Sequence, residues 1–149
     1  MKPPAWRADA HRYPHTFTLQ PRYSDEDRLG HVNNIAIAGY YDEARSRFSR
    51  EVFAAVPAAE ISRIVTADSR VTYLAEVFYA GPEPVVRTGI LRIGKASYDL
   101  AQALFQGDAC VGVCTTTFVQ ASAEGSSPLS EALKEALGRW LVEAPAVAD

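Results

Sequence analysis

Arg22-Tyr23-Ser24-Asp25-Glu26-Asp27-Arg28-Leu29-Gly30-His31-Val32-Asn33-Asn34 is the stretch on which the reading of this chain turns. It is polar, dense in carboxylates and broken by one glycine, so it reads as a loop. An alternating segment leads into it. Phe17, Leu19 and Tyr23 point one way, and Thr16, Thr18, Gln20 and Arg22 the other, which predicts a half-buried strand over residues 16–23. Pro21 marks an edge position or the end of that strand. A helix is expected next. Asn33 or Asn34 offers a side-chain oxygen to the first free backbone N–H groups. Ile37, Tyr41, Ala44, Phe48 and Val52 then recur at helical spacing along one face. Gly39 costs a helix interior roughly 1 kcal/mol against Ala, which predicts a close approach to packed backbone there. Pro57 marks the end of the region.

Beyond Pro57 the texture changes to strands. Residues 64–73, 85–93, 97–106 and 109–119 are rich in β-formers, with Gly81-Pro82, Gly94-Lys95 and Gly107-Asp108 as turns between them. A short helix is expected over residues 128–140: Ser127 caps it, Pro128 suits its first position, and Leu129, Leu133 and Leu137 repeat every four residues. Strands in a run favour an antiparallel sheet over βαβ units. A single helix of about 20 residues can bury its apolar stripe only against that sheet.

The 149 residues suit one domain, with residues 1–13 and 143–149 as loose ends. Fifteen Lys and Arg against eighteen Asp and Glu give a net charge of −3, so no nucleic-acid partner is expected. No apolar run approaches the ~18 residues of a membrane span, so no membrane partner is expected either. The N-terminus has no apolar signal segment, and a cytoplasmic location is the expectation. Cys110 and Cys114 lie four residues apart in an extended run, about 13 Å. That is too far for a disulfide, and no second Cys or His pair completes a zinc site. Both read as small core residues.

The opening stretch, followed through Tyr40-Tyr41-Asp42-Glu43-Ala44-Arg45, resembles the 4-hydroxybenzoyl-CoA thioesterase-like branch of the hotdog superfamily. In that branch an Asp-x-Asp-x-x-Gly-x-Val loop leads into a central helix with a Glu-Ala-Arg element in its middle turns. His31-Val32-Asn33-Asn34 is also similar to long-chain acyl-CoA and acyl-carrier-protein thioesterases. The resemblance implies an α+β hotdog fold: an antiparallel five-stranded sheet wrapped around one long central helix, with a short C-terminal helix. It implies hydrolysis of an acyl-CoA or acyl-carrier-protein thioester, with coenzyme A as part of the substrate and neither a separate cofactor nor a metal. It also implies a homodimer or homotetramer with sites between subunits.

Thioester hydrolysis needs a nucleophile or general base, and donors for the developing oxyanion. A helix N-terminus offers free N–H groups and a positive dipole end, and Asp27 lies a few residues ahead of one. No Gly-x-Ser-x-Gly elbow is present. By the resemblance Asp27 is the catalytic carboxylate, attacking the carbonyl or activating water; both routes stay open. Asp25 reads as a structural member of the turn. His31 orients water or substrate, or packs. Asn33 and Asn34 cap the helix; the Asn34 N–H is the expected oxyanion donor and Asn33 a substrate contact. Leu29 stands where some acyl-carrier-protein thioesterases have an Asn. Glu43 matches the family's helix glutamate, and equally suits a surface pair with Arg47 at i+4. Arg45 reads as structural. Arg87, Arg92 and Lys95, grouped around the turn Gly94-Lys95, are expected to meet the phosphates of coenzyme A. Tyr40, Tyr41, Phe48 and Tyr73 read as core or acyl-pocket lining. The alternative is a non-catalytic hotdog module that binds acyl thioesters or small molecules. A hotdog dehydratase is disfavoured, because His31-Val32-Asn33-Asn34 lacks the Pro-Gly of that family's His-Phe-Pro-Gly-like loop.

Overall fold

The computed structural model describes residues 2–146. Its elements run β1 (His15–Thr18), α1 (Asn34–Ala54), β2 (Arg63–Tyr73), β3 (Val85–Ile93), β4 (Ser97–Gln106), β5 (Ala109–Ser122), β6 (Gly125–Ser126) and α2 (Glu131–Gly138). The sheet path is β1-β3-β4-β5-β2, antiparallel throughout, and the two-residue β6 folds back on β5. Five strands therefore carry the sheet, as expected.

The helix face predicted from periodicity is the buried one. Ile37, Tyr41, Ala44, Phe48 and Val52 all face the sheet, joined by Tyr40. The first half of α1 packs with Leu19, Val77, Val86, Leu104 and Val111. The second half packs with Ile90, Tyr98 and Leu100, and with Leu133, Ala136 and Leu137 of α2. Each large side chain so buried contributes about 1.5–3 kcal/mol. The close approach expected at Gly39 occurs elsewhere. A Cβ at Gly112 would stand 2.7 Å from the Tyr41 hydroxyl oxygen and 3.1 Å from the Thr72 carbonyl, so helix and sheet touch there. Gly39 faces outward with nothing within 4 Å of a Cβ.

Four local expectations are corrected. β1 stops at Thr18, because the chain turns away after Leu19, whose N–H bonds to the Pro84 carbonyl at 2.8 Å. Tyr23 opens a 3-10 turn instead and is 79% exposed. α2 begins three residues later than predicted: Ser130, not Ser127, is the cap, its Oγ accepting from the Leu133 N–H at 3.1 Å. The segment before Tyr13 is not loose. Its 3-10 turns, Ala5–Ala8 and Ala10–Arg12, lie on the sheet face away from α1. There Ala10 and Tyr13 cover Ala101, Ala103, Phe105 and Val113. Arg7, 7% exposed, donates to the Cys114 carbonyl, the Thr115 hydroxyl and the Tyr13 hydroxyl. At the other end, Trp140 and Val142 bond to Ile90, covering β3 beyond the start of β1, and Glu143 bonds to Arg12. Residues 147–149 of the expected loose C-terminus lie outside the described residues.

Candidate active site

The loop ahead of α1 is a tight turn. The Asp27 N–H donates to the His31 carbonyl at 2.9 Å, and the Gly30 N–H donates to the Asp27 carbonyl at 3.2 Å. Gly30 takes φ +86°, a conformation side chains rarely adopt. The turn fixes the Asp27 carboxylate: Oδ1 accepts from the Leu29 N–H at 2.9 Å, and Oδ2 lies 3.4 Å from His31 Nδ1. His31 Nδ1 is also 3.3 Å from the Val32 carbonyl. Both neighbours of Nδ1, the Asp27 carboxylate and the Val32 carbonyl, are acceptors, so Nδ1 carries a proton. Asp27 and His31 keep 28% and 23% of their side chains in contact with solvent.

Asp25 anchors this turn to the helix. It is buried, with Oδ2 accepting from the Tyr40 hydroxyl at 2.7 Å and the Arg22 N–H at 2.9 Å, and Oδ1 accepting from the Arg22 guanidinium. Its carbonyl accepts both the backbone and side-chain N–H groups of Asn33. The expected structural role is what the geometry shows. Asn33 is the N-cap, its Oδ1 accepting from the Ala36 N–H at 2.8 Å. That leaves the N–H groups of Asn34 and Ile35 with no acceptor among the described residues. They are two donors at the positive end of a 21-residue helix.

Three hollows meet at this helix start. A groove of about 500 Å³ exposes Asp27, His31, Asn34 and Ile35 together. It shares His31 and Asn34 with a smaller cleft of about 240 Å³, walled by Ile37, Leu74 and Val77. On the other side of Asn33 and Ile35, a cavity of about 550 Å³ is lined by Arg22, Asp25, Ala36, Gly39 and Glu43.

The structure thus brings Asp27, His31, Asn33 and Asn34 together. Glu43 lies about 13 Å of helix rise beyond Asn34. It lines the larger cavity and also pairs with Arg47 at 3.8 Å, the surface pair expected at i+4. Arg45 reaches Gln102 and Asp42, a structural tie as expected. The basic trio does not form. Arg92 is held by Asp99 at 2.8 Å and by Ser97, in the β3–β4 hairpin that contains Lys95. That hairpin lies where Ile90 and Tyr98 meet the last turns of α1, away from Asp27. Arg87 precedes Arg92 by about 16 Å of strand. It lies in a separate hollow with His11, Phe105 and Asp108, under the N-terminal turns. Nearness in sequence grouped the three, and an extended strand separates them. The wall from Leu74 to Val77 was missed, since no motif marks a segment that joins the site by a long-range contact, the Val32 N–H to the Val77 carbonyl at 2.7 Å.

Among the described residues, no group of three or more His, Cys, Asp or Glu side chains is arranged to hold a metal ion. No described helix is long and apolar enough to cross a membrane.

The chain resembles known proteins in sequence and in fold. The model of the thioesterase-like superfamily matches residues 21–137. The structure of a predicted thioesterase from Bacillus stearothermophilus superposes with a TM-score of 0.76 at 20% identity, covering 87% of this chain and 98% of that one. A thioesterase from Thermus thermophilus, solved in complex with coenzyme A and zinc, gives 0.74 at 23% identity, covering 86% and 94%. A gentisyl-coenzyme A thioesterase gives 0.70 at 16% identity, covering 83% and 99%. These likenesses establish the hotdog fold. No curated protein matches the sequence.

Proposed function

Because the chain belongs to the thioesterase-like superfamily, we propose that it hydrolyses the thioester of an acyl-coenzyme A, or of an acyl group on a carrier protein. One observation carries this reading: the Asp27 carboxylate and the two unclaimed N–H groups of Asn34 and Ile35 open on the same groove. A carbonyl oxygen seated on those N–H groups is stabilised as it gains negative charge. Asp27 then attacks the carbonyl carbon or takes a proton from an attacking water. Overall, water adds across the C–S bond, oxygen to carbon and a proton to sulfur. His31, whose Nδ1 lies 3.4 Å from the Asp27 carboxylate, orients the water with its other ring nitrogen. Glu43 and Asn33 line the approach. Arg87, Arg92 and Lys95 lie away from this centre in their own chain, and a contact with coenzyme A requires that they serve the site of a second copy.

The same reading pairs two copies of the chain, since apolar side chains stand exposed around the site: Leu29 at 81% and Ile35 at 86%. It also keeps the protein in the cytoplasm, where its two free thiols persist.

The test is thiol release from a panel of acyl-CoAs, with wild type and Asp27→Asn side by side. A fall of at least about 100-fold in the variant, with binding kept, fits loss of a nucleophile or base. Equal turnover removes Asp27 from the mechanism. A wild type that binds a non-hydrolysable acyl-CoA but turns over no substrate, acyl-carrier thioesters included, is the binding module.

A further inference from the structure

A thioester has two unlike arms: an acyl group, and a linear thiol arm that carries two amides and a hydroxyl. At the start of α1 the surface likewise divides in two. The 240 Å³ cleft continues the groove through His31 and Asn34, and its back wall is core: Val32, Ile37 and Val77 are all buried. At about 30 Å³ per water-sized group, it holds about eight heavy atoms, a short straight chain or one aromatic ring. Glu76 stands on its rim and Asp27 at its mouth, so a second carboxylate on the acyl group would meet like charge.

The 550 Å³ cavity has the opposite character. Arg22, Ser24, Asn33 and Glu43 give it polar walls. From Asn33 to Glu43 it follows about 15 Å of helix, the length a linear arm needs. Its floor includes Gly39. That residue weakens the helix, yet nothing in the chain fills the place of its side chain and its φ is ordinary. Neither packing within the chain nor backbone conformation requires the glycine, and it leaves room for a ligand against the helix.

We propose that these two hollows sort the two arms: a compact, uncharged acyl group in the cleft against Ile37 and Val77, and the amide-bearing thiol arm in the cavity floored by Gly39. This assignment rests on the reading of Asp27 and Asn34 as the reaction centre, and the carbonyl between the hollows is where the arms part.

Binding tests it without requiring turnover. Free coenzyme A and its S-butyl, S-octyl, S-hexadecyl and S-(3-carboxypropyl) thioethers are titrated calorimetrically into wild type, Gly39→Leu and Ala75→Leu. Gly39→Leu is expected to weaken free coenzyme A at least about tenfold, with a Tm equal to or above wild type. Ala75→Leu, at a residue that lines the cleft, is expected to leave free coenzyme A unchanged and to weaken S-octyl more than S-butyl. In wild type, S-butyl should bind tighter than S-hexadecyl and S-(3-carboxypropyl). An unchanged coenzyme A affinity in Gly39→Leu, no binding by wild type, or equal affinity for all thioethers overturns the assignment. Failure of wild type to hydrolyse any thioester, with these binding shifts intact, sinks the hydrolase reading alone.

Discussion

At Asp25 two effects oppose each other. Burial pushes its carboxyl up, but the Arg22 N–H, the Tyr40 hydroxyl and the Arg22 guanidinium outweigh it, holding the group below the ordinary carboxylate value. Burial, then the bond to Asp25, pushes the Tyr40 hydroxyl up, so it stays a donor. A native carboxyl that titrates below its unfolded value lends stability in full above about pH 4. That stability is lost as pH falls through the native value. Asp25→Asn is therefore expected to be less stable at pH 7 by about 1–3 kcal/mol, with the gap to wild type narrowing in acid; urea unfolding from pH 7 to pH 3 measures both. At Asn33, an Ala substitution removes the cap and the tie to Asp25. A loss of about 0.5–2 kcal/mol is expected, and kcat should fall too as the Asn34 and Ile35 donors lose their placement; unfolding and turnover run together check it. Gly30 and Asn33 were legible because a turn and a cap are local chemistry, whereas Asp27 was singled out by the resemblance. The Tyr40 bond to Asp25 was not, because it needs the loop already folded onto the helix.

On the scale of elements, the close approach expected at Gly39 falls to Gly112 instead. Periodicity alone placed the buried face of α1. Which glycine serves packing depends on the strand opposite, and that strand lies far off in sequence. Gly112→Ala would press a methyl group on Tyr41 and on the Thr72 carbonyl, and a loss of about 1–3 kcal/mol is expected. Gly39→Ala meets open space and should stabilise by up to about 1 kcal/mol. The two urea midpoints should move in opposite directions; a destabilised Gly39→Ala would mean its surroundings are not open. Ser130 as the cap was equally illegible. It falls inside the Leu129, Leu133 and Leu137 repeat, and Ser127 is taken by the Gln120 side chain instead.

For the whole molecule, the sheet has two very different edges. β1 is a four-residue edge, and the C-terminal segment covers β3 beyond it. β2 is an eleven-residue edge in which no residue is buried, and one of its sides pairs with β5 while the other meets no strand among the described residues. A long bare edge invites another strand, and the nearest candidate is β2 of a second copy, which a two-fold axis would set antiparallel. Around its end, Tyr73 and Leu74 stand exposed, with Leu29 and Ile35 also bare at the site. The residues of β2 were legible in the sequence only as a β-rich segment, because what leaves them bare is the sheet order. Light scattering at micromolar concentration is therefore expected to give at least twice 16.2 kDa. On dilution below the dissociation constant, hydrogen exchange should speed up at alternate amides of β2, those facing away from β5, and turnover per chain should fall in step because the acyl cleft lies beside that edge. A mass of 16.2 kDa with full turnover would show that one chain holds the whole site.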